Sequence, residues 1–494
     1  MSAEQLWDLP PSWSWERFEE VADVDLQLED AKRFPTAVHI APNHIESGTA
    51  RLVDQGTVAG DKVAGPKHRF SRGQVLYSKI RPYLAKAVIA PCDGFCSSDM
   101  YPINARCEPA FLVRWLVSPA FTVRVSRDQN RTVLPKVNLA TLRELPVPVP
   151  PLNEQRRIVA KLEALQARSR RAREALDAVP PLLEKLRQSI LAAAFRGDLT
   201  KDWRAKHKDV EPASTWIRNN PQPEQRRSGR AAAITVRPGR CAISVGDPKT
   251  STPPGWCWTS LLSVARMESG HTPSRAVESY WNGGIPWVSI PDARDHNGTT
   301  IDETASTISE EGLANSAARI LPRETVCLVR TAASIGYVTV LGREMATSQD
   351  FANWVCGPAL LPKYLMYALW AERDAIRSFG EGSAHPTVYF PELKAFHLKL
   401  APLEEQQVIV DRIERYLSTW ERLRGSVSAA RQALATLESS YLAKAFRGEL
   451  VPQDPRDEPA EAMLARLEGA KGAGQEEAAS RAKSASGRRR EARG

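Results

Sequence analysis

The side chains with the most chemical potential are three cysteines, Cys92, Cys96 and Cys107, and the carboxylates and lysine of "PDARD" (291–295) and "ELK" (392–394). The cysteines would hold zinc, but they contain no CxxC pair and have no fourth ligand nearby. The second group would suit metal-dependent cleavage of a phosphodiester. Its two parts lie about a hundred residues apart, on an internal repeat whose other copy has neither. Neither GxxxxGK[ST] nor GxGxxG is present to cradle phosphates, and neither HExxH nor GxSxG occurs. The Asn/Asp-Pro-Pro-aromatic tetrad of amino-methylating enzymes is missing too, because "LPPS", "VPPL" and "TPPG" all fail it. The expectation is a chain that catalyses nothing, binds no metal or cofactor, and acts through partners.

A different chemistry remains: reading base edges and gripping phosphates. The first half offers Arg81, Tyr83, Arg127, Gln129, Asn130 and Arg131 in polar loops; the second offers His271, Ser274, Arg275, Ser334, Gln349 and His385. Arginine can bridge guanine O6 and N7, and Asn or Gln can bridge adenine N6 and N7. Lys79 and Arg330 occupy matching positions of the repeat and suit phosphate, which carries no sequence. The competing role for each is a solvated loop charge or strand end. Asp99 and Asp350 also match and read as turn caps. With 67 Lys and Arg against 58 Asp and Glu, the net charge of +9 favours a polyanionic partner, although solubility alone explains such a surplus.

These residues are positioned by a duplication. "AAAFRGDL" (192–199) returns as "AKAFRGEL" (443–450), and the register holds back to "PLNEQRRIV" (151–159) and "PLEEQQVIV" (402–410). The two stretches share 20 identities in 49 gapless pairs at an offset of 251. The offset continues upstream, pairing "GQVLYSKIRPYLAKAVI" (73–89) with "ETVCLVRTAASIGYVTV" (324–340) and "LPKVNLATL" (134–142) with "HPTVYFPEL" (385–393). "PPSWSW" (10–15) meets "PPGWCW" (253–258) at an offset of 243, so the second copy carries eight more residues in between. Trp13, Trp15, Trp256 and Trp258 recur together and read as core anchors.

Within 151–200, steps of four and three visit Ile158, Leu162, Leu165, Leu176, Leu183, Leu186 and Ile190; within 402–450 they visit Ile409, Ile413, Trp420, Leu423, Leu434 and Leu437. Two long helices sharing one seam imply an antiparallel coiled coil. Each nearly continuous helix would reach about 65 Å at 1.5 Å per residue. Pro180-Pro181 should kink or split the first, and Gly425 weaken the second. Separate packing of each helix on its own globular core is the alternative.

The predicted fold class is α+β, with two similar mixed α/β domains separated by two long antiparallel helices and related by internal pseudo-twofold symmetry. The boundaries are 1–150 and 253–401 for the globular domains, 151–200 and 402–450 for the helices, 201–252 for a polar, basic linker, and 451–494 for a tail with a disordered end. The opening residues lack a signal-peptide pattern, and no run approaches the ~18 apolar residues of a membrane span. Seven scattered cysteines suit a reducing, cytoplasmic setting.

Taken in this order and twice over, the motifs resemble the specificity subunits of type I restriction–modification systems, from about Leu9 to Leu464. "GHTPSRAVESYWNGGIPWVSI" (270–290) is similar to that family's entry into a target recognition domain, and "VPQDPRDEPAEAMLARL" (451–467) looks like its usual ending. The resemblance implies two target recognition domains, each reading half of an asymmetric bipartite site in double-stranded DNA, with the paired helices fixing the gap. It further implies two methyltransferase subunits and two restriction/translocase subunits as partners, with S-adenosylmethionine, ATP and Mg on those partners. A coiled-coil scaffold joining two protein-binding domains, without DNA specificity, would explain the helices but not the variation of polar loops on one framework.

Overall fold

The computed structural model describes residues 7–126, 136–220, 232–233, 235–380 and 386–466. The chain divides into two compact units. The first joins residues 1–177 to 429–494, and the second is 178–428.

In the first unit, Ser14–Arg17 pairs antiparallel with Pro146–Val149. A four-stranded sheet follows in the order Ala87–Ile89, Val75–Ser78, Met100–Ala105, Ala22–Val24. Apolar and β-branched residues fill these strands, and Val75, Tyr77, Ile103 and Val149 are buried. A five-stranded sheet runs Leu28–Glu29, Lys67–Phe70, Gly94–Cys96, Val38–Ile40, Gly56–Thr57. The main core also takes in Phe111 and Trp115 from the helix Pro109–Leu116, together with Ile158 and Leu162.

The second unit repeats the four-stranded order as Val338–Leu341, Val326–Val329, Phe351–Cys356, Ala265–Ser269, with Thr300–Ile301 added at the outer edge. Cys257–Ser260 pairs with Phe396–Leu400, as its counterpart does. The two units diverge between these shared strands. Where the first has the five-stranded sheet, the second has three strands, Ser306–Ile308, Trp281–Val288 and Ala346–Thr347. The eight extra residues fall in this divergent region.

Residues 201–252, expected to be a linker, are in part structural. Lys201–Lys206 and Ala213–Asn219 are helices. Ile243–Val245 joins the sheet beside Phe396–Leu400, with Cys241, Ala242 and Ile243 buried in the second core. The apolar "CAISV" run is what draws this stretch in. The turn before it is held by the buried Glu372 carboxylate, which accepts from the N–H groups of Arg240 (2.7 Å) and Ala242 (2.6 Å). In the final segment, Ala460, Met463 and Leu464 pack into the first core.

Two long helices, Leu152–Arg196 and Leu403–Phe446, cross the boundary between units. Within the first unit, the start of one lies alongside the end of the other: Arg173 pairs with Glu438 at 2.6 Å and Arg431 with Asp177 at 2.6 Å. Within the second, the Trp420 indole donates to the Leu183 carbonyl at 2.9 Å. The segments are therefore antiparallel where they meet. Their burial departs from the expected seam. Ile158, Leu162, Leu183, Ile409 and Ile413 are buried, and Leu165, Leu176, Ile190, Trp420 and Leu434 are half-buried. Leu186, Leu423 and Leu437 are exposed at 47%, 46% and 55% and do not belong to a seam. Arg187, which lies off those steps, is buried, and so is Ser169, which the same steps visit between Leu165 and Leu176. A straight helix drifts by about 20° per heptad against a 3.5-residue repeat. Side chains anchored on a globular core at one end thus lose the seam farther along. Four of the buried positions, Ile158, Leu162, Ile409 and Ile413, pack into the globular cores. Packing on those cores accounts for as much of the periodicity as helix pairing does.

Pro180 and Pro181 do not split the first helix, which is continuous over 45 residues. Pro180 leaves the Leu176 carbonyl without its helical donor. Arg431 of the second helix donates to that carbonyl at 3.4 Å while pairing with Asp177. The lost bond is replaced from across the pair.

The helix ends are fixed identically in both units. Trp13 donates to buried Glu154 at 3.0 Å, and Trp256 to buried Glu405 at 2.8 Å. Gln155 and Gln406 bridge neighbouring backbone, donating to the carbonyls of Pro150 (2.8 Å) and Ala401 (2.9 Å). Gly197 and Gly448 end the helices at φ +82° and +75°, the left-handed cap that favours glycine. A Cβ on Gly197 would meet Pro253 at 2.6 Å, and one on Gly448 would meet Pro10 at 2.3 Å. The duplicated "AFRG" and "PP" motifs are thus two sides of one contact.

Two outcomes follow. Glu405 is also held by the Thr200 hydroxyl (2.6 Å) and Arg204 (2.5 Å), whereas among the described residues Glu154 accepts from Gln453 (2.6 Å) besides Trp13. Trp13→Phe should therefore loosen its unit by about 1–3 kcal/mol and Trp256→Phe by less, read by hydrogen exchange at 146–149 and 396–400. In a double-mutant cycle, Arg431→Met should destabilise the parent by about 0.5–1.5 kcal/mol. It should have a smaller effect once Pro180→Ala restores the helical donor; equal effects in both backgrounds would refute the replacement of that bond.

Candidate nucleic-acid interface

One turn is built the same way in both units. It follows the strands Val75–Ser78 and Val326–Val329. The Lys79 N–H donates to the Asp99 carbonyl and the Arg330 N–H to the Asp350 carbonyl, both at 2.9 Å. The carbonyl of Lys79 accepts from Val137 N at 2.8 Å, and that of Arg330 from Val388 N at 2.9 Å. Bridges join Ile80 to Lys136 and Thr331 to Thr387. Every partner in this set is related by 251 positions. Asp350 also accepts from the hydroxyls of Thr331 and Ser348, the turn-bracing role expected of this position.

The turns then open outward. Arg81 and Ala85 have φ +49° and +46°, and Ala332 has φ +57°. These are three of eight non-glycine residues with positive φ among the described residues, a geometry uncommon enough to mark a strained turn. In the first unit it leaves Arg81 and Tyr83 exposed, with exposed Lys136 across from Ile80. In the second, Ser334 is half-buried in the turn Ala332–Ser334.

The two matched cations are half-buried. Lys79 places its ammonium 4.9 Å from the Tyr101 ring. Burial and then the neighbouring Lys136 charge hold its pKa below the ordinary value. Arg330 lies 4.8 Å from the Phe390 ring and donates to the Gln349 carbonyl at 3.0 Å; burial lowers its pKa as well. Among the described residues neither has a carboxylate within 4.0 Å, as the salt-bridge geometry records. Asp99 and Asp350 act on them from farther away and favour the charged forms; partly desolvated cations of this kind are suited to an external anion.

Of the remaining sequence candidates, His271, Gln349 and Arg330 come together. His271 N–H donates to the Thr347 carbonyl at 2.9 Å, and Gln349 contacts the Thr272 hydroxyl and bonds Arg330. Ser274 and Arg275 lie on the following exposed segment. The Ser274 carbonyl accepts from the Trp281 indole at 3.2 Å, and the Arg275 guanidinium stacks 4.9 Å from Trp281 and 5.6 Å from Trp287. Arg275 is held against aromatic surface. Arg127, Gln129, Asn130, Arg131 and His385 lie outside the described residues.

Sequence reading missed two groups. Tyr389 is 47% exposed next to Phe390, where the first unit has Asn138, which caps a helix by accepting from Thr141 N at 2.8 Å. The 251 offset pairs these positions and could have flagged them. The divergent sheet of the first unit carries exposed Lys62, Arg69 and Arg72. The eight-residue length difference was the available signal there.

Comparison with known proteins agrees with this architecture. The family profile "Type I restriction modification DNA specificity domain" matches residues 41–176 and 253–425. The chain is 46% identical over 206 residues to the EcoDI type I restriction enzyme specificity subunit of Escherichia coli, a match covering 42% of this chain and 46% of that protein. It is 27% identical over 159 residues to the MjaIX specificity subunit of Methanocaldococcus jannaschii, covering 32% and 37%. These alignments span less than half the length of either relative. A structure described as showing complex assembly and conformational transition of the type I R-M system superposes with TM-score 0.68 at 23% identity, over 90% of this chain and all of that one. The HsdS subunit from Thermoanaerobacter tengcongensis does so with TM-score 0.57 at 24% identity, over 90% and 99%. At those identities the likeness speaks to fold. No helix among the described residues is long and apolar enough to cross a membrane. With its profile covering most of both duplicated halves, the chain belongs to the type I restriction–modification DNA specificity family.

Proposed function

We propose that each unit reads one half of an asymmetric bipartite site in double-stranded DNA, and that the chain directs methyltransferase and restriction/translocase subunits, two of each, to that site. The chain performs no catalysis in this reading. S-adenosylmethionine, ATP and Mg act on the partner subunits, and the assembly works in the cytoplasm.

The observation that carries this reading is the turn beginning at Lys79 and Arg330. Its backbone bonds are the same in both units, while the surrounding side chains differ: Arg81 and Tyr83 on one, Ser334, Gln349 and Tyr389 on the other. A constant cationic support with variable polar neighbours suits constant phosphates and different bases. A protein-binding scaffold would have no use for half-buried cations at one matched position.

The test uses the chain with its methyltransferase partner. Lys79→Gln and Arg330→Gln should each weaken binding to the modified site and to random DNA alike, lowering the salt slope by about 1. Replacing residues 253–401 by those of another family member should change one half-site and keep the other. Binding that ignores salt would favour the scaffold reading.

A further inference from the structure

The second unit contains a cleft of about 940 Å³ near the end of the first long helix, outside the turn just described. Its floor is Lys399, which is only 9% exposed. The rim carries Arg196, Lys201, Arg204, His207 and Lys208. Two of the cations are already neutralised: Arg196 pairs with Asp198 at 2.9 Å and Arg204 with Glu405 at 2.5 Å. Among the described residues Lys201, Lys208 and Lys399 form no ion pair within 4.0 Å, and the Glu372 carboxylate acts on Lys399 only from farther away. The Lys399 ammonium has the Trp258 ring at 5.2 Å. Burial pulls its pKa down, so a bound anion would offset a real cost.

This feature is specific to one unit. Trp258 pairs with Lys399 across the two strands, and the matching pair in the first unit is Trp15 with Pro148. The duplicated scaffold folds without a lysine here, so folding alone does not account for it.

The walls decide the class of ligand. Pro212, Pro253, Pro254 and Pro402 line the cleft with Trp203, whose ring stacks on His207 at 4.4 Å and 13°. A duplex carries its phosphates on the outside of a stiff helix and cannot lower one onto a floor lysine in a concavity of this size. A side-chain carboxylate on a flexible strand can, with its aliphatic portion against proline and tryptophan surface. We propose that this cleft docks an acidic peptide segment of a protein partner, with one carboxylate on Lys399 and others on Lys201 and Lys208.

The test is fluorescence anisotropy of a labelled hexaglutamate peptide with the full chain, using hexaglutamine as control. Hexaglutamate should bind saturably, and less tightly as salt rises. Lys399→Gln should weaken it at least about tenfold, and the exposed double variant Lys201→Gln/Lys208→Gln at least about threefold. The double variant keeps the test valid if the buried substitution disturbs folding. The proposal is overturned if hexaglutamate does not bind, if hexaglutamine binds equally, or if neither variant matters. It is also overturned if inorganic phosphate or a short duplex displaces the peptide at lower concentration than free hexaglutamate does.

Discussion

Each globular core depends on a contact made far along the chain. Phe446, from the end of the second long helix, is buried against Phe111 and Trp115 of the first unit, with ring centroids at 5.5 and 5.1 Å. Phe195, from the end of the first helix, is buried against Tyr364 of the second unit at 5.1 Å. Burying such a ring is worth roughly 1.5–3 kcal/mol. The glycine two residues on then turns the chain against a proline that opens the domain. Removing either partner would leave a ring-sized hole in the core and a helix end without its cap.

The beginnings of the helices are held by polar bonds and not by rings. Glu154 and Glu405 are buried carboxylates, each fixed by an indole N–H, and the adjacent glutamines tie down carbonyls at the helix entrance. Buried polar groups of this kind cost energy unless every bond is made. They therefore specify one entry angle, whereas the aromatic contacts at the far end supply attraction. Direction comes from the polar bonds at the start of each helix, and adhesion from the apolar contacts at both ends.

Much of this was legible in the residues. The 251-residue offset placed Lys79 with Arg330 and Asp99 with Asp350, and their backbone bonds match one for one. Of the four tryptophans read as core anchors, Trp13 and Trp256 are buried, and Trp15 and Trp258 are half-buried. The heptad count misled at Leu186, Leu423 and Leu437 because spacing along a helix does not reveal what lies opposite, and a globular core can demand the same period as a second helix. Pro180-Pro181 read as a break because the compensating donor, Arg431, is about 250 residues away in sequence. The partial order of 201–252 was hidden by its polar composition, although "CAISV" had the pattern of a strand. In the site, the turn was visible through the repeat, whereas Tyr389 and the divergent sheet showed only as differences between the two copies, and a difference alone does not say which position is used.

The division of the chain also sets an order of events during synthesis. The second unit is contiguous, so all of its parts have been made by residue 428. The first is left open after residue 177 and waits for residues 429–466. At about 5–20 residues per second, the interval is roughly a quarter to one minute. Throughout that time the apolar cavity meant for Phe446 and Leu442 faces solvent on the nascent chain. A transiently shielding protein in the cell would find its substrate there, and a truncated translation product would carry that exposed surface permanently.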